Sequence, residues 1–322
     1  MPEIVTMGEG IIDFLYEERE DGIFYRQNAG GAPANVAAAV KKLGVPSAFI
    51  GKVGTDMFGT YLINELMSAG VDTSGIVRDK AHPTPLAFIK TEAGRREYFF
   101  MRQNTADMNL KYDEVSLRLL DNAKILHFGA LLLAEEPSRS AVANTIEYAK
   151  QNGKIISYSL NYRHQLWKNH DDAAIAMRSV LSFVDILKVS EDELELITDS
   201  GNLLPSLYKL LAGGIKIILV TQGAKGCIVA AKSGVREVRA FTIPTVDTLG
   251  AGDSFMGAFL SRIAAVARGY EDLTQAELAD IAAFSNAAGA VCSGRVGALA
   301  AMPAKDEIEK FRAECSDTDR FF

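Results

Sequence analysis

Cysteine is scarce: the 322 residues contain three, Cys227, Cys292 and Cys315. They lie far apart and none forms a CxxC pair. This argues against a disulfide framework or a zinc site and leads us to expect a reducing, cytoplasmic setting. Basic charge is also in deficit, with 34 Lys and Arg against 41 Asp and Glu and a net charge of −7. There is no dense Lys/Arg block, so nucleic acid is not an expected partner. No 18-residue apolar stretch occurs, so no membrane span is expected. The opening Met-Pro-Glu-Ile-Val-Thr-Met-Gly-Glu lacks the basic and apolar regions of a secretory signal. His82, His127, His164 and His170 show no metal-ligand spacing, and the chain holds neither a GxxxxGK[ST] loop nor a dinucleotide fingerprint. The single tryptophan, Trp167, reads as packing.

What is present is an ordinary globular composition, 48% apolar and 23% charged, with length for two domains or one large α/β domain. Short β-branched runs alternate with helical patterns. Strands are predicted at Ile4–Met7, Ala48–Val53, Ile125–Phe128, Ile155–Ser159, Ile186–Val189 and Ile217–Thr221. Helices are predicted at Asn35–Leu43, Phe58–Ala69, Ser138–Gln151, Glu191–Thr198, Asp253–Ala267, Gln275–Cys292 and Pro303–Glu314. Such alternation indicates a mostly parallel sheet covered on both faces, with ligands beyond the carboxyl ends of its strands. Two segments break the rhythm. Phe14–Gln27, and Leu86–Arg102 around the turn Glu92-Ala93-Gly94, read as antiparallel ribbons able to cover a site or pair with a second subunit.

The most informative stretch is Val246-Asp247-Thr248-Leu249-Gly250-Ala251-Gly252-Asp253-Ser254-Phe255. Gly250 and Gly252 let backbone amides approach an anion, and the following helix aims its unsatisfied N–H groups and positive dipole end at the same place. Asp253 in the first turn is either a helix cap or, beside a phosphate, a general base. Gly30-Gly31-Ala32-Pro33-Ala34-Asn35 is a tight turn or a polar ligand contact, with Asn35 offering both donor and acceptor. Asp13, after the first strand, suits two sugar hydroxyls or solvent. Thr221-Gln222-Gly223-Ala224-Lys225-Gly226 reads as a hairpin to Cys227–Ala231 or a nucleotide-phosphate turn. Ser190 and Glu193 have capping-box spacing; the alternative is that Glu193 orders waters on Mg²⁺. Arg102 and Arg163 end strand-like segments as exposed arginines or anion-binding forks.

Together these residues resemble the ribokinase-type (PfkB) carbohydrate kinases over nearly the whole chain. Gly30–Gly44 and Asp247–Phe259 carry the resemblance. Gly8–Asp13, Asn161-Tyr162-Arg163 with Leu166-Trp167, and Val189–Glu193 are similar to bacterial fructokinases, and 2-keto-3-deoxygluconate kinases share much of the pattern. The resemblance implies a three-layer α/β/α core (1–13, 28–85 and 103–322) and a β-lid (14–27 and 86–102) that clasps a homodimer. It implies ATP with Mg²⁺, phosphoryl transfer to the primary hydroxyl of fructose, and Asp253 as base with Gly250, Ala251 and Gly252 as anion hole. Asp13, Gly30, Gly31, Asn35, Arg102 and Arg163 fall to the sugar. Ser190, Thr221, Gly223, Gly226 and Asn286 fall to the nucleotide. Asp247, Cys292, Arg295 and Gly297 fall to the monovalent cation, K⁺, of many members. The chain departs from the fructokinase pattern at Ser159-Leu160, where Asp-Pro is usual, and at Leu249, where Thr is common. A reading of another class is a sugar-binding regulator on an inactive kinase scaffold.

Overall fold

The computed structural model describes residues 1–92, 95–266 and 269–318. Ala93 and Gly94 of the predicted turn, and Ala267 of a predicted helix, lie outside them. The first half contains β1 (Ile4–Met7), β2 (Ile11–Arg19), β3 (Gly22–Gly30), α1 (Ala32–Lys42), β4 (Ser47–Gly54) and α2 (Met57–Ser68). Then come β5 (Asp72–Asp79), β6 (Leu86–Glu92), β7 (Arg95–Met101), α3 (Leu117–Asp121), β8 (Ile125–Gly129) and α4 (Ser138–Gln151). The second half begins with β9 (Ile155–Ser159), α5 (His170–Ser179), β10 (Ile186–Ser190), α6 (Glu191–Thr198) and α7 (Leu203–Ala212). It ends with β11 (Ile217–Thr221), β12 (Gly226–Ala231), β13 (Gly234–Arg239), α8 (Ala251–Ala264), α9 (Gln275–Ser293) and α10 (Lys305–Thr318).

Nine strands form one sheet in the order β13-β12-β11-β10-β9-β8-β1-β4-β5, parallel except for β12 and β13. Alternating side chains point to opposite faces of a strand, and the core divides on that period. Val5, Met7, Leu126, Phe128, Leu187 and Val189 pack with Val142 and Ile146 of α4, Met177 of α5 and Leu194 of α6. Their neighbours Ile4, Ile125 and Ile186 pack on the opposite face with Val36 of α1, Phe255 and Phe259 of α8 and Leu278 of α9. The result is the expected three-layer α/β/α stack. The edges β5 and β13, and helices α3, α5 and α7, were not predicted. Both edge strands are polar (Asp-Thr-Ser-Gly-Ile-Val-Arg-Asp and Gly-Val-Arg-Glu-Val-Arg), which hides a strand signal while discouraging edge-to-edge pairing.

The two ribbons join into a second sheet, β3-β2-β6-β7, through parallel pairing of β2 with β6. Its first strand starts at Ile11, earlier than the ribbon predicted from Phe14, so Asp13 belongs to β2 of this small sheet and not to the core. One face carries Ile11, Asp13, Ile89, Arg96, Tyr98 and Phe100 toward a cavity. The other carries Phe14, Tyr16, Tyr25, Phe88 and Phe99, linked by ring contacts of 5.1–6.4 Å.

Candidate active site

The small sheet, the start of α1 and the start of α8 enclose a cavity of about 410 Å³. Asp13, Gly31, Asn35, Arg163, Ser190, Glu193, Gly250, Gly252 and Asp253 line it. A second cavity of about 290 Å³ is lined by Thr221, Gly223, Gly226, Ala251, Asn286 and Gly289. Thr248 and Gly252 border both. The two chambers therefore meet at the glycine loop that opens α8.

Gly250 caps α8 at φ 77°, with no side-chain cap bond. A β-carbon there would stand 2.9 Å from the Ala298 Cα, so a glycine is required on both counts. Turn carbonyls take the N–H of Ala251 (3.3 Å) and Asp253 (3.1 Å). Among the described residues the N–H groups of Gly250 and Gly252 have no such partner. Asp253 follows in the first turn and is partly buried. Asn35 Nδ2 donates to its Oδ2 at 2.9 Å, and Asn161 Nδ2 reaches its Oδ1 at 3.4 Å. Burial raises the Asp253 carboxyl above the usual range, while Asn35, Lys188 and Arg163 pull it back. Asp13 is pushed up to about 7 by burial and by the negative charge of Asp253, with Arg163 opposing.

Among the cavity residues to which the sequence reading gave no role are Glu9, Lys188 and Asn161. Glu9 accepts the Ala32 N–H at 3.0 Å through Oε1, leaves Oε2 buried without a partner among the described residues, and is raised to about 7 by burial. Its only sequence signal was a place beside Gly8 and Gly10. Lys188, 6% exposed on β10, donates to Asn161 Oδ1 at 2.9 Å and has no carboxylate partner among the described residues. A β-carbon on Gly252 would lie 3.3 Å from its Nζ, so ammonium and helix N-terminus converge on one spot. A lone lysine inside an apolar strand was the available clue. Asn161, at φ 46°, holds the left-handed conformation that asparagine tolerates and bridges Lys188 to Asp253.

Several predicted residues have other occupations. Arg102 is buried, donates to Asp107 (2.7 Å) and to the Leu131 carbonyl (3.1 Å), and does not line the cavity. Its fork is spent on an internal carboxylate. Gly30 is also off the wall; a side chain there would collide with Asp13, so it makes room for that carboxylate. Ser190 and Glu193 form the capping box of α6, and Glu193 Oε1 also accepts the Tyr162 N–H at 2.7 Å. Ser190 borders the first cavity and not the second. Asn286 spends its amide nitrogen on the carbonyls of Val238 and Arg239, both at 3.0 Å. Ser159, where an acid is usual, is buried with its hydroxyl unpartnered among the described residues, and is the register partner of Lys188.

The expected monovalent-cation set does not fit a cation. Asp247 Oδ1 accepts from Arg96 and from the Leu249 N–H (3.0 Å), and Oδ2 from the Gly297 N–H (3.0 Å). A hard cation needs several available oxygens, and here a guanidinium already neutralises the carboxylate. Cys292 is buried beside the Leu249 carbonyl, with its thiol raised to about 12 by burial, and Arg295 pairs with Glu307. The exposed Asp192 carboxylate on the cavity wall does suit Mg²⁺, which prefers oxygen ligands and keeps several waters, whereas both Glu193 oxygens already accept backbone N–H groups.

Comparison with known proteins gives this geometry its context. The pfkB family carbohydrate kinase pattern matches residues 1–305. The chain belongs to this family. It is 39% identical over 314 residues to a probable fructokinase-3 of Arabidopsis thaliana, covering 96% of this chain and 90% of that one. Among solved structures, the ATP-bound fructokinase of Xylella fastidiosa superposes with a TM-score of 0.91 at 30% identity, covering 98% and 100% of the two chains. The fructokinase of Vibrio cholerae O395 with fructose, ADP and calcium gives 0.87 at 29%, covering 97% and 99%. For a family of carbohydrate kinases, paired cavities meeting at a glycine loop have an immediate use: sugar in one, nucleotide in the other.

Proposed function

We propose that the chain is an ATP-dependent fructokinase that transfers the γ-phosphoryl group to the primary hydroxyl of fructose. The observation that carries this is the partly buried Asp253 carboxylate at an uncapped helix start where the two cavities meet. Asp13 and Asn35 hold sugar hydroxyls in the first cavity, and Thr221, Gly223, Gly226 and Asn286 hold the nucleotide in the second. Asp253 accepts the hydroxyl proton as the oxygen attacks phosphorus. Charge on the transferred group meets the Gly250 and Gly252 amides, the α8 dipole and the Lys188 ammonium. Phosphoryl transfer is mainly positioning plus electrostatics, so these parts suffice. Mg²⁺, when bound, neutralises the ATP phosphates.

Withdrawal of Arg102 from the cavity removes one of the two arginines expected to anchor a substrate carboxylate, which favours a neutral sugar over a keto acid. The small sheet serves as lid. Its outer face exposes Ile23 (61%), Tyr25 (50%), Phe99 (65%) and Met101 (52%), which supports a homodimer clasped through that face. Buried, unbridged Cys227 and Cys292 agree with a reducing cytoplasm.

A coupled ADP-release screen over fructose, ribose, 2-keto-3-deoxygluconate and a nucleoside tests the reading. Fructose should give the highest kcat/KM. Turnover confined to the keto acid, or sugar binding without turnover, would overturn it.

A further inference from the structure

The loop that forms the anion hole is fastened to the small sheet at two points. Leu249, immediately before Gly250, packs with Ile11, Ala87, Ile89, Tyr98 and Phe100 on the cavity face of that sheet. Two residues earlier, Asp247 forms an ion pair with Arg96 of β7. Both partners are largely sheltered, at 18% and 15% side-chain exposure, so the pair is less screened than a surface one. Asp247 in turn fixes the loop internally, through the Leu249 N–H, and to the neighbouring turn through the Gly297 N–H. Val246 and Asp247 add N–H bonds to the Ser293 carbonyl at 2.9 and 3.1 Å.

Arg96 therefore has two neighbours of consequence. It lines the sugar cavity, where its charge also acts on Asp13, and it neutralises the carboxylate that shapes the anion hole. A carboxylate this sheltered needs a cation beside it. The sequence resemblance implied K⁺ for that place, and the structure puts a guanidinium there.

We propose that Arg96 is a positioning residue for phosphoryl transfer: it stands on Asp247 in place of a monovalent cation and, with Leu249, holds the anion-hole loop against the sugar-bearing sheet. This rests on the kinase reading above. Two consequences separate it from a purely structural contact: turnover is indifferent to K⁺, and loss of Arg96 lowers kcat more than it raises KM for ATP.

The test compares the full-length protein and Arg96→Ala in KCl and in choline chloride at equal ionic strength, by kcat and by melting temperature. The unaltered chain should turn over and melt alike in both salts. Arg96→Ala should lose at least about tenfold in kcat at saturating substrates, with Arg96→Lys or millimolar guanidinium restoring part of it. Activation of the unaltered chain by K⁺, or a melting point raised by K⁺ alone, would overturn the proposal. So would an Arg96→Ala effect confined to KM for the sugar. Should no sugar be phosphorylated at all, the kinase reading falls, and the melting comparison still decides the cation question.

Discussion

Helices α6 and α8 both begin on the wall of the same cavity with acids in their first turns, yet they treat those acids in opposite ways. At α6, Ser190 Oγ accepts the Glu193 N–H at 3.2 Å, and Glu193 returns the bond to the Ser190 N–H at 2.8 Å. The helix end is closed without help from a ligand. At α8, a left-handed glycine replaces the cap, and Asp253 is held by side-chain amides of Asn35 and Asn161 rather than by its own helix. Among the described residues the N–H groups of Gly250 and Gly252 stay available, with Lys188 alongside. A closed start stabilises the fold, whereas an open start inside a cavity is poised for an anion.

Substitutions at the two ends sharpen that contrast. Asp253→Asn should have the largest effect, a loss of at least about 10² in kcat, the range of general-base assistance. Lys188→Met comes next. It should cost about 10²-fold or less in kcat with little change in KM for the sugar if the ammonium meets the transferred group, as its place beside Gly252 suggests; an effect on sugar KM alone would move Lys188 out of that role. Ser190→Ala should have the smallest effect on turnover. Loss of a cap costs about 1 kcal/mol, so melting should fall by roughly 1–2 °C for a chain of this length while kcat stays within about twofold. A large kcat loss there would mean that Ser190 does touch the nucleotide.

Much of this contrast was legible in the sequence. Regular buried strands and the helices of the core announced themselves through apolar periodicity, and Gly250–Asp253 announced an open helix start through glycine spacing. The fates of individual polar groups did not. Whether Glu193 caps a helix or meets a metal depends on the Tyr162 N–H, which lies 31 residues away. Whether Arg102 is free depends on Asp107 and on how β7 ends. Arg96 and Asp247 lie 151 residues apart, and no local pattern joins them. Lys188 and Glu9 were invisible for a related reason: a charged residue in a strand or glycine turn declares its burial, and hence its chemistry, only once the neighbouring elements are in place. The polar edge strands β5 and β13 were missed because their lack of apolar alternation is what suits them to an edge.

The most direct measurement is of Asp253→Asn, assayed for kcat with saturating fructose and ATP and titrated calorimetrically with ADP. The account predicts nucleotide affinity within about twofold of the unaltered protein together with a kcat lower by about 10² or more. A variant that turns over at near-normal rate would contradict it.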